Sequence, residues 1–137
     1  MLAVAVTQLI REEQARQSNR FIEGVDLDAY LERLNQRAEI LAEYDGDRCR
    51  GFVAFYCNNP ATRQAYITLV LVAPQDRSTG LGRALVTNVL DQCRRRGFVT
   101  CGLEVRGDNT AALAMYQSLG FTAVADRAGK LLLECAL

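Results

Sequence analysis

The sequence has no histidine and no tryptophan, only two prolines, and no surplus of either charge: 16 Lys+Arg stand against 16 Asp+Glu in 137 residues. Without an imidazole the chain cannot run a Ser-His-Asp or Cys-His arrangement, so proton transfer falls to Glu, Asp, Tyr, Cys or water. Only carboxylates and thiols remain to hold a transition metal, and no metal is expected. The balanced charge argues against a nucleic-acid binder, which needs Lys and Arg gathered on one face. The one dense basic run, Arg94-Arg95-Arg96, falls at the expected end of a helix, where cations complement the helix dipole. Both prolines sit in turn-like settings, Asn58-Asn59-Pro60 and Ala73-Pro74-Gln75, and there is no repeat or linker. One domain over residues 1–137 is therefore expected, and an apolar share of 50% is ample for its core.

Five cysteines, Cys49, Cys57, Cys93, Cys101 and Cys135, are odd in number, lie in apolar runs and form no CxxC pair. They read as reduced core residues of a cytoplasmic protein. The apolar start Met1 to Val6 has no basic residue before it and runs into Arg11-Glu12-Glu13, so it reads as neither a signal peptide nor a membrane span.

Periodicity divides the rest. Thr7 to Asn19 has helical propensity, and a second helix is expected with Asp26 as N-cap and Leu27, Tyr30, Leu31, Leu34 and Ala38 at helical spacing. Ile40–Tyr44 and Gly51–Cys57 flank Asp45-Gly46-Asp47 as a hairpin. Ala65–Val72, almost wholly apolar and β-branched, suits a central strand buried on both faces. A helix from Gly80 to Arg96 carries Leu81, Ala84, Leu85, Val89, Leu90 and Cys93 on one stripe, with Gly97 beyond its end. A strand over 98–105, a helix over 109–119 ended by Gly120, and strands over 121–125 and 131–135 complete the order ααβββαβαββ. That order predicts an α/β (α+β) chain whose mixed sheet has helices on its faces.

The most informative stretch runs from Val72 to Leu85. A buried strand ends in a Gly-containing loop that opens a helix, leaving free N–H groups and the positive end of the helix dipole aimed at one point. Such a cradle favours a phosphate. Gly80 and Gly82 admit close backbone approach, while Arg77 and Arg83 add charge at the rim. No Lys-Ser/Thr follows, so it is not a P-loop, and GxGxxG is not matched. Arg77, Gly80 and Gly82 do match the pattern Arg/Gln-x-x-Gly-x-Gly/Ala, which resembles the acyl-CoA pyrophosphate loop of the GCN5-related N-acetyltransferases. Leu103-Glu104-Val105, Asn109, Ala112, Tyr116 and Leu119-Gly120-Phe121 resemble that family's second block in order and spacing. Ser78 stands where the family most often has glycine.

The resemblance implies the family's fold and a co-substrate, acetyl-CoA. It implies that backbone groups of Leu71 and Val72 pair with the pantetheine amides, with an oxyanion donor at one of the two. It implies that the N–H groups of Ser78, Thr79, Gly80, Leu81, Gly82 and Arg83 hold the pyrophosphate, and that Asn109, Ala112 and Tyr116 line the pantetheine arm. Leu103-Glu104-Val105-Arg106 with Asn109 and Tyr116 is similar to the ribosomal-protein alanine acetyltransferases, which makes Glu104 the candidate base and Tyr116 the candidate acid. Two plainer roles stand beside these: Glu104 pairing with Arg106, and Tyr116 packing between helix and sheet. Glu43 and Glu23 are alternative bases. No cysteine has a base nearby in sequence, so direct attack in a ternary complex is expected over an acyl-cysteine.

The amino-terminal half carries Phe21-Ile22-Glu23-Gly24, Tyr30 and the turn Cys57-Asn58-Asn59-Pro60-Ala61, and lacks the tryptophan expected of the ribosomal enzymes. The acceptor is therefore expected to be a small-molecule primary amine. A protein N-terminus or lysine, and a non-catalytic acyl-CoA-binding module, are the alternatives. The family often pairs through its last strands, which implies a homodimer.

Overall fold

A computed structural model describes residues 2–137. Helices α1 (Val4–Arg16) and α2 (Leu27–Arg37) precede strands β1 (Glu39–Asp45), β2 (Arg48–Tyr56) and β3 (Gln64–Val72). A single 3-10 turn, Pro74–Asp76, leads into α3 (Leu81–Arg95), followed by β4 (Thr100–Arg106), α4 (Thr110–Ser118), β5 (Thr122–Arg127) and β6 (Lys130–Ala136). The element order is the expected one. Helix α1 begins three residues earlier than its polar pattern suggested, because Val6 is wanted in the core, and it ends before Ser18 and Asn19, both left-handed at φ 53° and 64°. Asp26 caps α2 as expected, accepting from Ala29 N at 3.1 Å. Arg96, at the helix end where a cation was expected, also ties α3 to the sheet edge, donating to Glu39 at 2.6 and 2.9 Å and to the Cys57 carbonyl at 3.1 Å.

The six strands form one sheet in the order β1-β2-β3-β4-β6-β5, antiparallel throughout except for the central β3–β4 pair. Alternation along β2 sends Val53 and Phe55 to a core beneath α3 and α4, and Phe52 and Ala54 to a second core beneath α1 and α2. Strand β3 departs from the expectation of burial on both faces: Ala65, Ile67, Leu69 and Leu71 are buried, while Tyr66, Thr68, Val70 and Val72 between them are only half-buried. The stripe on α3 also differs, with Val86 buried in the α3/α4 core and Ala84 exposed.

The reason for the β3 pattern is a bulge. Phe55 pairs with Ile67 and Ala54 with Leu69, so Thr68 is one residue too many for its partner strand. The extra residue turns the strand over: Ala65 and Ile67 belong to the α3/α4 core, Leu69 and Leu71 to the α1/α2 core. At the same point β3 parts from β4, since their parallel pairing covers only Gln64–Ile67 against Thr100–Leu103. Beyond it the two strands splay apart.

Candidate active site

The splay opens a cleft of about 1420 Å³ that runs from the start of α3 past β3 and β4 to the α1–α2 loop. Its floor is set by backbone register. Ala73 N donates to Arg50 O at 2.9 Å, so by period two Leu71 and Leu69 also face β2, while Val72 and Val70 turn their backbone groups toward the splay. Leu71 therefore cannot fill the role the resemblance gave it: its backbone is committed to β2, its side chain lies in the α1/α2 core, and it does not line the cleft. Val70 stands there instead, beside Val72. Sequence reasoning missed Val70 because only the register of Ala73 with Arg50 reveals which residues of the strand face outward.

The loop after β3 is held from below. Asp76 accepts from Arg48 at 2.6 Å and from Arg50 at 3.0 Å, and these hydrogen bonds pull its carboxyl below the ordinary range. Thr79 Oγ1 donates to Asp76 O at 2.6 Å. Arg77 donates to Val72 O at 3.2 Å and to Glu13 of α1 at 3.0 Å. Arg16 and Gln17 also donate to Glu13, the latter at 2.6 Å. Burial works against the charge of Glu13, yet Gln17, Arg77 and Arg16 outweigh it and hold the carboxyl below its ordinary value. Arg77 is thus a brace between the loop and α1. Glu13 and Asp76 are acids that no sequence motif pointed to.

Above this brace lies the cradle. Among the described residues, none of the six N–H groups from Ser78 to Arg83 donates to a protein acceptor, whereas Ala84 returns to Gly80 O at 3.1 Å. Ser78 and Gly80 sit in the left-handed region at φ 63° and 85°, which turns successive N–H groups inward. This explains why glycine suits both positions. Ser78, Gly80, Leu81, Gly82 and Arg83 line the cleft, with Thr79 exposed beside them. Arg83 reaches across to the Ser118 hydroxyl at the end of α4.

Two further expected residues, Tyr116 and Glu104, line the same cleft. Helix α4 ends with Phe121 N donating to Tyr116 O and Gly120 N to Gln117 O, both at 3.1 Å, with Gly120 at φ 101°. This is the double bond of a glycine-terminated helix, and its usual apolar clasp is the edge-on contact of Tyr116 with Phe121, 5.7 Å between ring centroids. Leu119-Gly120-Phe121 thereby fixes Tyr116. The ring is buried, and burial alone pushes the phenol up to about 12. Its hydroxyl has no protein partner, yet no buried side-chain polar atom among the described residues is unsatisfied, so it opens to the cleft.

Glu104 projects from β4 into the same cleft, exposed and without an ion pair among the described residues; Arg106 pairs with Asp108 at 3.3 Å instead. Tyr66, which sequence reasoning placed only in a buried strand, lies across Gly102 with its ring 3.5 Å from where a Cβ would stand. Its phenol is pushed up to about 12 by burial and then by the negative charge of Glu104. Asn109 and Ala112 line the cleft, but Asn109 Oδ1 also caps α4, accepting from Ala112 N at 3.3 Å. Of the alternative bases, Glu23 lines the cleft at its α1–α2 end and Glu43 does not.

A mixed sheet splayed at one parallel pair, with a helix start full of unpartnered N–H groups at the opening, defines an N-acetyltransferase fold. The chain matches the Acetyltransferase (GNAT) family over residues 5–121 and belongs to it. It is 41% identical over 68 residues to the [ribosomal protein bS18]-alanine N-acetyltransferase of Escherichia coli strain K12, covering 50% of this chain and 46% of that protein. It is also 41% identical over 80 residues to the mycothiol acetyltransferase of Tsukamurella paurometabola, covering 58% of this chain and 27% of that one. The chain thus spans half or less of the length of these curated relatives. Its fold is similar to the ribosomal-protein-S18-alanine N-acetyltransferase from Escherichia coli, with TM-score 0.77, 21% identity, and coverage of 98% and 90% of the two chains. It is likewise similar to the PaiA N-acetyltransferase from Thermoplasma acidophilum in complex with coenzyme A, with TM-score 0.75, 13% identity and coverage of 97% and 91%.

Proposed function

We propose that this chain is an acetyl-CoA-dependent N-acetyltransferase acting on a primary amine of a small molecule, by direct attack with both substrates bound. The observation that carries the reading is the run of unpartnered N–H groups from Ser78 to Arg83 opening on the same cleft as Glu104 and Tyr116. Six donors at a helix start fit a pyrophosphate, and the outward-facing groups of Val70 and Val72 fit an extended amide-bearing arm laid along β3 as an added strand.

When bound, acetyl-CoA supplies an acetyl group on a thioester, activated toward an amine. Glu104, directly or through water, takes the proton of the incoming ammonium, since an alkylammonium with pKa near ~10 is almost wholly protonated at neutral pH. The N–H of Val70 or Val72 faces the splay, where a carbonyl oxygen gains negative charge. As the new C–N bond forms and the C–S bond breaks, Tyr116 gives its proton to the sulfur, and the second proton that the nitrogen sheds passes through water to restore the phenol. Its burial keeps the phenol protonated throughout the physiological range. The cysteines stay out of the reaction: burial pushes the thiols of Cys49, Cys93, Cys101 and Cys135 up, Cys101 to about 12, away from the thiolate a nucleophile needs.

A protein N-terminus is the competing acceptor, favoured by the identity to the bS18-alanine enzyme. Incubation with acetyl-CoA and a panel of free amines and peptides, followed by thiol release and product mass, decides between them. Transfer to a free amine supports the reading and transfer to peptides alone replaces it. Coenzyme A binding without thiol release from any acceptor reduces the chain to a binding module. A cytoplasmic location and a homodimer formed through the free edge of β5, where Val124 is exposed, belong to the same proposal.

A further inference from the structure

Beside the end of the cleft nearest α2 lies a second hollow of about 590 Å³. Tyr30, Arg33 and Thr68 line both spaces, so one layer of side chains separates them. The hollow continues along Arg37, Tyr56 and Asn58, and no carboxylate lines it. Arg33 and Arg37 stand one turn apart on α2 and so face the same way. Neither makes an ion pair among the described residues, and the nearest acids along the chain are engaged elsewhere. Asp28 accepts from Arg11 at 2.7 Å, Glu32 accepts from Gln36 at 2.9 Å, and Glu39 is held by Arg96. Two cations at this spacing repel and weaken a helix, so their presence calls for an anion. The Arg33 guanidinium rests over the ring of Tyr30, 5.8 Å from its centroid, which steadies it at the boundary of the two spaces. Burial raises the phenol of Tyr30, which packs by Thr68, so a neutral hydroxyl donor flanks the same spot.

The cradle and the Tyr116 end of the cleft serve the donor substrate from the α3/α4 face, whereas this hollow opens from the α1/α2 face. We propose that it receives the anionic group, a carboxylate or a phosphate, of the amine acceptor, with Arg33 and Arg37 as the residues that select an anionic small-molecule amine. This rests on the acetyl-transfer reading above. Among the described residues, the main cleft is lined by unpaired groups of both signs, Arg20 and Lys130 beside Glu23 and Glu104, so the preference for an anion is set in the hollow, by Arg33 and Arg37.

The test is calorimetric titration of the protein saturated with coenzyme A, using N-acetylated product analogues. N-acetylaspartate and N-acetylglutamate carry carboxylates, N-acetyl-O-phosphoserine a phosphate, and N-acetylputrescine a positive charge. At least one anionic analogue is expected to bind about tenfold or more tighter than N-acetylputrescine. The double variant Arg33→Gln/Arg37→Gln is expected to lose that preference by a similar factor, with coenzyme A affinity unchanged and the melting temperature no lower, because both side chains are exposed and their mutual repulsion is removed. The stronger of the carboxylate and phosphate arms identifies the group. Coenzyme A binding without anionic preference, or a preference that survives the double variant, overturns this inference alone. Failure to bind coenzyme A overturns the acetyl-transfer reading and this one with it.

Discussion

Tyr116 and Glu104 line one cleft at opposite degrees of burial, and that contrast suits the two proton transfers proposed for them. A phenol with one open face and a pKa of about 12 stays protonated across the physiological range, so its proton is present when charge develops on the departing sulfur, whereas Glu104 stands open to solvent. Both were legible in sequence, from the spacing of Leu103-Glu104-Val105 to Tyr116. Val70, Tyr66 and Glu13 were not, because their roles depend on which strand lies alongside and on contacts across 64 residues of chain, as from Glu13 to Arg77. Asn109 both caps α4 and lines the cleft. Its Oδ1 caps α4 while its amide N–H₂ is free to reach the cleft, so Asn109→Ala is expected to cost about 1 kcal/mol through the lost cap. Asn109→Ser should keep the melting temperature and still bind coenzyme A more weakly. Equal coenzyme A affinity in Asn109→Ser and the natural protein would leave Asn109 as a cap alone.

Elements were legible where one residue type marks a boundary. Asp26, Gly97 and Gly120 each stand where the sequence put a helix end, and the hairpin at Gly46 is the expected one. The bulge at Thr68 was hidden, because an unbroken β-branched run carries no sign of the extra residue. Yet that bulge reverses the faces of β3 where β3 leaves β4, and so makes the cleft. The end of α4 bears on the proposed chemistry, since the hydrogen bonds closing at Gly120 set the ring of Tyr116. Gly120→Ala forces a side chain into the left-handed region at φ 101° and is expected to cost ~1–2 kcal/mol. If the helix end positions Tyr116, kcat falls in this variant more than coenzyme A affinity does. A stability loss with kcat unchanged would separate the two.

Across the whole molecule, the sheet carries a core on each face, and the ionisable groups locked between the elements set its pH limits. Glu13 and Asp76 have carboxyls held below their ordinary values, so their contribution is present above the carboxylate range and is lost as pH falls through it. Tyr66, Tyr116 and Cys101 are raised to about 12, so what they contribute is complete below pH ~9 and is lost as pH rises toward 12. The urea midpoint is therefore expected to fall below about pH 4 and again above about pH 9, and a midpoint flat from 9 to 12 would contradict the buried placement of these groups. At this scale the missing histidine was the most informative feature of the sequence. It removed the common titrating group near neutrality and so turned the proposed acid and base toward the carboxylates and phenols.

The most direct test of that assignment is the pH dependence of kcat/KM for an amine turned over with acetyl-CoA, measured for the natural protein, Glu104→Gln and Tyr116→Phe together. Glu104→Gln is expected to lose activity at neutral pH and to recover only where the amine sheds its own proton. Tyr116→Phe should lower the rate ~10²–10⁴-fold at every pH below about 10 without changing the profile's shape. Profiles for both variants that overlay the natural protein's in height and shape would contradict the account.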